Sequence, residues 1–550
     1  MVLTCRWRSR PQHQKLPSTQ SPRRRLRVAP TVFRDRTVFT FRRRHFARII
    51  PALEPIRPGD VAFPERPLIN GSRSVYGRVM GLVMADVSIG HARVSAAAEV
   101  FHSQSHVLAW ILVSAAMLLA LMAPALWNGF PLIFPDTGGY LDRPILGTLG
   151  MGRSALYGLF LYTGVPFSFW PNAVLQSALT IWLIVLTMRA HGLGGRPWLA
   201  LGIVAMLTVC TSLPWFSGQL MPDILFPAAV LAVYLLSYHN ERHARWERFL
   251  LAAVIVFAIP SHMAAAGMCV AVIAALWLLA QFKPLALPKP RLWFAAGSVA
   301  AGIALCPTSN LAITGNFAFT PGGSSFLFGR LIEDGIVARY LGEYCPDASL
   351  RLCDFKATLP EDADDWLWDG NSPFRKLGSR KGFSTEERAI TWATLERYPL
   401  THVSTAIVAA ITQFFTFQTE VGVDNNDPTV YMFAEHFPQL FAQFMRARQQ
   451  AERFDVALLN YLHVPIAALS VAGLGVALLF RRRLKITPEA AALCLVILLA
   501  LTANAAICGV FSHPVDRYQS RVVLLAPLAI ALLIAQRRRA NHAVLGPSAI

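Results

Sequence analysis

Four short stretches of this chain set carboxylates, an imidazole and guanidiniums beside long apolar runs. The first, FPLIFPDTGGYLD (130–142), carries Asp136 and Tyr140, with Asp142, Arg143 and Arg153 following. Residues four apart share one helix face, so Asp136 and Tyr140 meet wherever a helix resumes. Pro135 disfavours helical backbone at the preceding residue, and Gly138 and Gly139 permit positive φ. The second stretch, SGQLMPDILFP, carries Asp223, and the third, IPSHM, carries His262. The fourth, SHPVDRYQSR (512–521), holds His513, Asp516, Arg517, Tyr518 and Arg521. A carboxylate can take a proton from a reacting hydroxyl, and guanidiniums stabilise phosphate oxygens. The set suits an anionic substrate with a reacting hydroxyl. Each member also has a structural reading. Asp136 and Asp223 cap helices, His262 bonds a backbone carbonyl in a tight turn, and Arg517 and Arg521 snorkel to lipid phosphates.

What must position these residues is a set of membrane helices. The chain is 54% hydrophobic and only 15% charged. Crossing a hydrocarbon core takes about 20 apolar residues. The expected fold class is an all-α polytopic membrane protein with about 10 transmembrane helices (range 9–12). The expected spans are 107–127, 168–188, 198–214, 223–238, 249–260, 264–282, 292–312, 456–480, 487–510 and 521–536. The connections at 189–197, 239–248, 283–291 and 481–485 are basic, as is the tail from 537. The positive-inside rule assigns them, with both termini, to the cytoplasm. The opposite compartment then receives 128–155, 213–222, 260–263, 313–455 and 511–520, which include all four polar stretches.

The expected domain order is a basic tail (1–106), helices 1–7 (107–312), a large outer segment of mixed helix and loop (313–455), helices 8–10 (456–536) and a cytoplasmic tail (537–550). Residues 313–455 carry 19 acidic against 13 basic residues, which agrees with that sidedness. Cys345 and Cys353, in CPDASLRLC, read as a disulfide in an oxidising compartment. No further ligand has zinc-site spacing nearby, and no metal residues are assigned. Two pieces of this side read as surface elements: 402–418 as an interfacial or re-entrant helix, and 153–167 as an amphipathic helix along the membrane. EDADDWLWDG (361–370) reads as a solvated acidic loop, and TPGGSSFLFGR (320–330) as a mobile loop or a linker.

The net charge of +19 invites a nucleic-acid reading, but residues 1–106 hold 19 Lys and Arg against six acids. A tail that orients the first helix explains the excess, and no nucleic-acid partner is expected. Translation from Met80 or Met84 would omit most of it. No Walker-type phosphate loop, His-Glu-x-x-His or EF-hand spacing occurs. A transporter or lipid flippase would carry ionisable residues at mid-membrane, whereas here they stand at helix ends. That reading remains as an alternative, as does a non-catalytic membrane protein with a periplasmic binding segment.

At the four polar stretches the chain resembles the GT-C-type membrane glycosyltransferases, whose bacterial members use polyprenyl-phosphate-linked sugars. PDTGGYL (135–141) is similar to their acidic first outer loop, and MPDILF (221–226) to the acidic second one. SHM (261–263) resembles a Ser-His pair between later helices, and DRYQSRVVLLAP (516–527) an Arg-Tyr element opening a late helix. The first loop departs from the pattern in lacking an adjacent Asp-Glu pair, and no WWD-type motif occurs. The resemblance implies a hexosyl or pentosyl transferase in a bacterial inner membrane. Its partners would be the lipid bilayer, a lipid-linked sugar donor and an acceptor of unknown identity. Asp136 would be the general base. Tyr140, Arg153, Asp223, His262, Arg517, Tyr518 and Arg521 would bind substrate. The resemblance implies no resident cofactor and is compatible with a divalent cation.

Overall fold

A computed structural model describes residues 105–282, 287–420, 427–451 and 455–545. The tail expected over 1–106 thus lies almost wholly outside the described residues. Among the described residues the chain is helical, and its one extended pairing is a single bridge between Leu132 and Gln219.

The first block opens with α1 (Ser105–Asn128), α2 (Pro135–Leu146), α3 (Ala155–Tyr162), α4 (Trp170–Ala190) and α5 (Pro197–Cys210). It continues with α6 (Leu213–Ser217), α7 (Leu225–Tyr238), α8 (Arg245–Ser261), α9 (Met263–Leu279) and α10 (Trp293–Thr314). A middle block of shorter helices follows, beginning with α11 (Gly323–Glu333), α12 (Ile336–Tyr344), α13 (Ala363–Trp368) and α14 (Pro373–Lys376). Next come α15 (Ser379–Arg397), α16 (Pro399–Phe415), α17 (Asp427–His436) and α18 (Pro438–Met445). The chain closes with α19 (Asn460–Leu479), α20 (Pro488–Phe511), α21 (Asp516–Val523) and α22 (Leu525–Leu545).

Six stretches are long and apolar enough to cross a bilayer: Ser105–Asn128, Trp170–Ala190, Trp293–Thr314, Ala457–Leu479, Pro488–Phe511 and Asp516–Asn541. Hydrocarbon offers no partner to peptide groups, and a helix satisfies them internally. The chain is a multi-pass membrane protein. The other apolar stretches read as spans are also helical, but only 14 to 17 residues long (α5, α7, α8 and α9). The stretch read as one span over 198–214 is broken. Thr211 is extended, and the chain turns into α6 with Pro214 in its first turn, where a missing N–H costs nothing.

Helix ends gather at two poles. At one pole His106 reaches the Gly195 carbonyl, Arg242 that of Ala190 and Gln536 that of His191. Arg291 pairs there with Glu241, and the Tyr234 hydroxyl donates to the Glu489 carbonyl. The basic connections therefore meet at one end of the bundle. At the other pole lie the loop after α1, the start of α7, the α8–α9 junction and the start of α21, which carry all four polar stretches. Between the poles stands α7, with every residue from Leu225 to Ser237 buried. A helix apolar all round belongs inside a bundle.

The middle block has its own core, built from Phe328, Leu341, Trp366, Phe374, Phe383 and Ile390. A disulfide joins Cys345 to Cys353 at its edge. The 402–418 piece becomes α16. It packs closely on α20, with the Ala409 carbonyl against Gly509, while Val403, Ile407 and Ile411 stay exposed. The 153–167 piece is not a free amphipathic helix. It forms α3 and a 3-10 turn, and α3 buries Tyr157, Gly158 and Leu161. A Cβ on Gly158 would lie 2.0 Å from the Tyr140 carbonyl oxygen, so only glycine lets α3 approach α2. Gly158→Ala should destabilise the protein by about 1–3 kcal/mol through overpacking. Gly342→Ala, at an open and exposed helical position, should be neutral or stabilising. Thermal unfolding of both variants in detergent tests this.

Candidate functional site

The first acidic loop is held by pairing to the second. The Leu132 amide donates to the Gly218 carbonyl at 3.0 Å, and the Leu220 amide to the Leu132 carbonyl at 2.8 Å. From Leu132 the chain enters α2 with Pro135 in the first turn and Asp136 next to it. A proline here forfeits no bond, and the helix N-terminus favours an acid. The Thr137 hydroxyl accepts from the Phe134 amide and donates to the Leu220 carbonyl. Thr429 of α17 accepts from the Gly138 amide at 3.1 Å, and Gln449 brackets Ile133 with two hydrogen bonds. The loop is thus fixed from both sides. Asp223 follows Pro222 in a 3-10 turn that runs into α7.

Arg517 and Arg521 stand one turn apart on α21, and both point at Asp223. Arg517 donates from Nε (3.1 Å) and Nη2 (2.7 Å) to the two Asp223 oxygens, and Arg521 donates from Nη1 at 2.9 Å. Arg517 Nη1 also lies 3.6 Å from Asp136 Oδ2, and Arg153 pairs with Asp136 Oδ1. The result is a chain of alternating charge, Arg521–Asp223–Arg517–Asp136–Arg153. It holds three guanidiniums against two carboxylates. Among the described residues Arg521 Nε has no hydrogen-bond acceptor. Aromatic rings cover the cations, Phe134 at 3.8 Å from the Arg517 guanidinium carbon and Phe226 at 3.5 Å from that of Arg521.

Exposure separates the members. The Asp223 and Arg521 side chains are fully buried, whereas Asp136 is 27% and Arg153 17% exposed. Burial of Asp136 opposes its ionisation, but the Arg153 and Arg517 guanidiniums outweigh that and hold its carboxyl below the usual carboxylate range. Comparison with protein-family models, curated proteins and solved structures gives no match.

Several residues expected to touch a substrate take other positions. Asp223 has no exposed surface and serves as counter-ion to two arginines. Arg521 orients Asp223 from the buried side. Tyr140 is buried edge-on against Tyr157, at 5.2 Å between ring centres, and packs α2 on α3. His262 caps α9 by accepting from the Ala264 amide and meets Phe226 edge-on, one layer behind the ions. Tyr518 lies 5.1 Å from the Arg521 guanidinium carbon and flanks the cluster. Asp136 and Arg153 stay partly exposed and His262 and Tyr518 half-buried, while Arg517 is buried behind Asp136 with 6% of its side chain exposed. Two contacts are not legible in the sequence, although their residues stand in the stretches named above. His513 sits between Glu333 of α11 (3.6 Å) and Asp364 of α13 (3.4 Å). Trp368 of α13 lies over Arg153, 4.7 Å from guanidinium carbon to ring centre. Their only signal was a histidine close to Arg517 and a tryptophan inside an acidic run.

Asp223→Asn leaves two buried guanidiniums without their anion and should cost about 3–5 kcal/mol, read as a large loss of thermal stability in detergent. Asp136→Asn, at a partly open position, should cost far less. His513 is desolvated, but the carboxylates of Asp364 and Glu333 raise its pKa to about 9. Its ion pairs add stability that is complete below the unfolded value of 6.5 and is lost as pH rises through about 9. His513→Asn should therefore lower the unfolding temperature at pH 6 and have little effect above pH 9.

Proposed function

We propose that this protein is a GT-C-type glycosyltransferase. It moves a sugar from a polyprenyl-phosphate donor to an acceptor hydroxyl on the periplasmic side of a bacterial inner membrane. In this reading ten helices cross the bilayer, both termini are cytoplasmic and the basic pole faces the cytoplasm. One observation carries the reading: a charged cluster with an excess guanidinium opens at Asp136 and adjoins an apolar cleft. The cleft, a cavity of about 20 Å³, is lined by Leu183, Leu207, Ile224, Leu231, Leu524 and Leu528. Ile224 directly follows Asp223, and Leu524 and Leu528 lie one and two turns beyond Arg521. Cations set beside apolar helix walls suit an anion carried on an apolar group.

The acceptor hydroxyl attacks the anomeric carbon as Asp136 accepts its proton. The bond from that carbon to the phosphate oxygen breaks, and the leaving phosphate keeps the electron pair. Arg517 and Arg153 stabilise the charge that grows on it. Asp223 and Arg521 hold Arg517 in place and touch no substrate. Both carboxylates face guanidiniums, which repel a divalent cation, so these residues do not fit one and no step passes through a metal.

Membrane vesicles containing the protein should transfer radiolabelled sugar from polyprenyl phosphate to an acceptor. Asp136→Asn should lower transfer by about 10²–10⁴-fold with insertion and thermal stability retained. Full activity in that variant would exclude Asp136 as the base, and lipid translocation without glycoside formation would favour a flippase. Because Asp136 ionises below the usual range, its acid limb in the rate profile should lie below that of an ordinary aspartate. Arg153→Gln should move that limb upward, since loss of the guanidinium lets the carboxylate take its proton at higher pH.

A further inference from the structure

The acidic run Glu361–Gly370 has no part in the mechanism above, yet it lies against the site. Helix α13 presents Asp364 and Trp368, four residues apart, to the two arms of the charged cluster. Asp364 pairs with His513, in the loop that leads to Arg517. Trp368 lies over Arg153, which itself pairs with Asp136. Trp366, Phe374 and Phe383 of this block are buried in its core, whereas Trp368 is 38% exposed; Trp392 and Tyr344 are exposed as well, but they have no contact with the charged cluster among those described. Arg153 covers one face of the indole, and Phe326 meets the ring at 57° from beside Gly152. The rest of the indole stays open, next to the partly exposed Arg153 that pairs with Asp136.

We infer that Trp368 is the platform on which the sugar ring of the lipid-linked donor stacks, on the indole face that Arg153 leaves uncovered. This rests on the donor class proposed above and assigns its sugar-recognising surface. A pyranose has one face of C–H groups and a rim of hydroxyls, which matches an indole face with charged neighbours. With the donor phosphate at Arg517 and Arg153, the sugar attached to it comes to lie beside the indole. The roof of the site thus comes from the middle block and its floor from the bundle.

The test compares three ligands titrated calorimetrically into the detergent-solubilised full chain: a polyprenyl phosphate, and the hexosyl and pentosyl phosphates of the same polyprenol. Wild type should bind at least one sugar-bearing lipid more tightly than the bare phosphate. Trp368→Ala should weaken that sugar-bearing lipid by about 3- to 10-fold and leave the bare phosphate unchanged, and Trp368→Phe should restore most of the loss. Equal weakening for all three ligands would mean that Trp368 only positions Arg153, and would overturn the assignment. So would equal wild-type affinity for sugar-bearing and bare lipids, or no loss in Trp368→Ala. If wild type binds none of the three, the donor class fails and the platform with it.

Discussion

The bidentate pair between Arg517 and Asp223 is the constraint on which the polar pole of this protein depends. Neither group has appreciable exposed surface, and desolvating an ion costs several kcal/mol unless a partner and good geometry repay it. Repayment here requires the start of α21 to meet the start of α7, two elements almost 300 residues apart in sequence. Arg521, one turn further along α21, binds the same carboxylate and fixes the rotation of that helix. Once α7 and α21 are registered in this way, Arg517 is aimed at Asp136 as well.

The two aspartates look alike in sequence and differ in environment. Asp223 stands on the central buried helix, enclosed by two arginines and the rings that cover them. Asp136 stands at the start of a short helix, between a buried guanidinium and a partly open one. One carboxylate serves the architecture, and the other keeps exposed surface. The Leu132–Gln219 bridge keeps them adjacent by binding the two loops backbone to backbone.

The middle block is joined to this cluster by charge and by aromatic contact. Glu333 and Asp364 hold His513, and Trp368 lies on Arg153. These contacts link a separately cored set of helices to the loops that carry Asp136 and Arg517. The site is therefore shared between a helix bundle and a cap with a core of its own.

The helical, membrane-crossing nature of the chain is legible in its residues, because apolar runs of about 20 residues have few other stable fates in water or lipid. Charge bias sorted its loops into two sets, and those sets meet at opposite poles of the bundle. It also supplied the short roster of polar residues at helix ends. Tertiary structure alone decided which of them stay open. Asp136 and Asp223 each follow a proline at a helix start, and nothing local distinguishes a carboxylate that two arginines will enclose. Tyr140 has the one-turn spacing of a site residue, yet the glycine at 158 draws α3 in and buries it. The break at Thr211, the packing of α16 on α20 and the reach of Trp368 to Arg153 are likewise long-range outcomes. Burial and partner choice depend on residues distant in sequence, and only the packed chain brings them together.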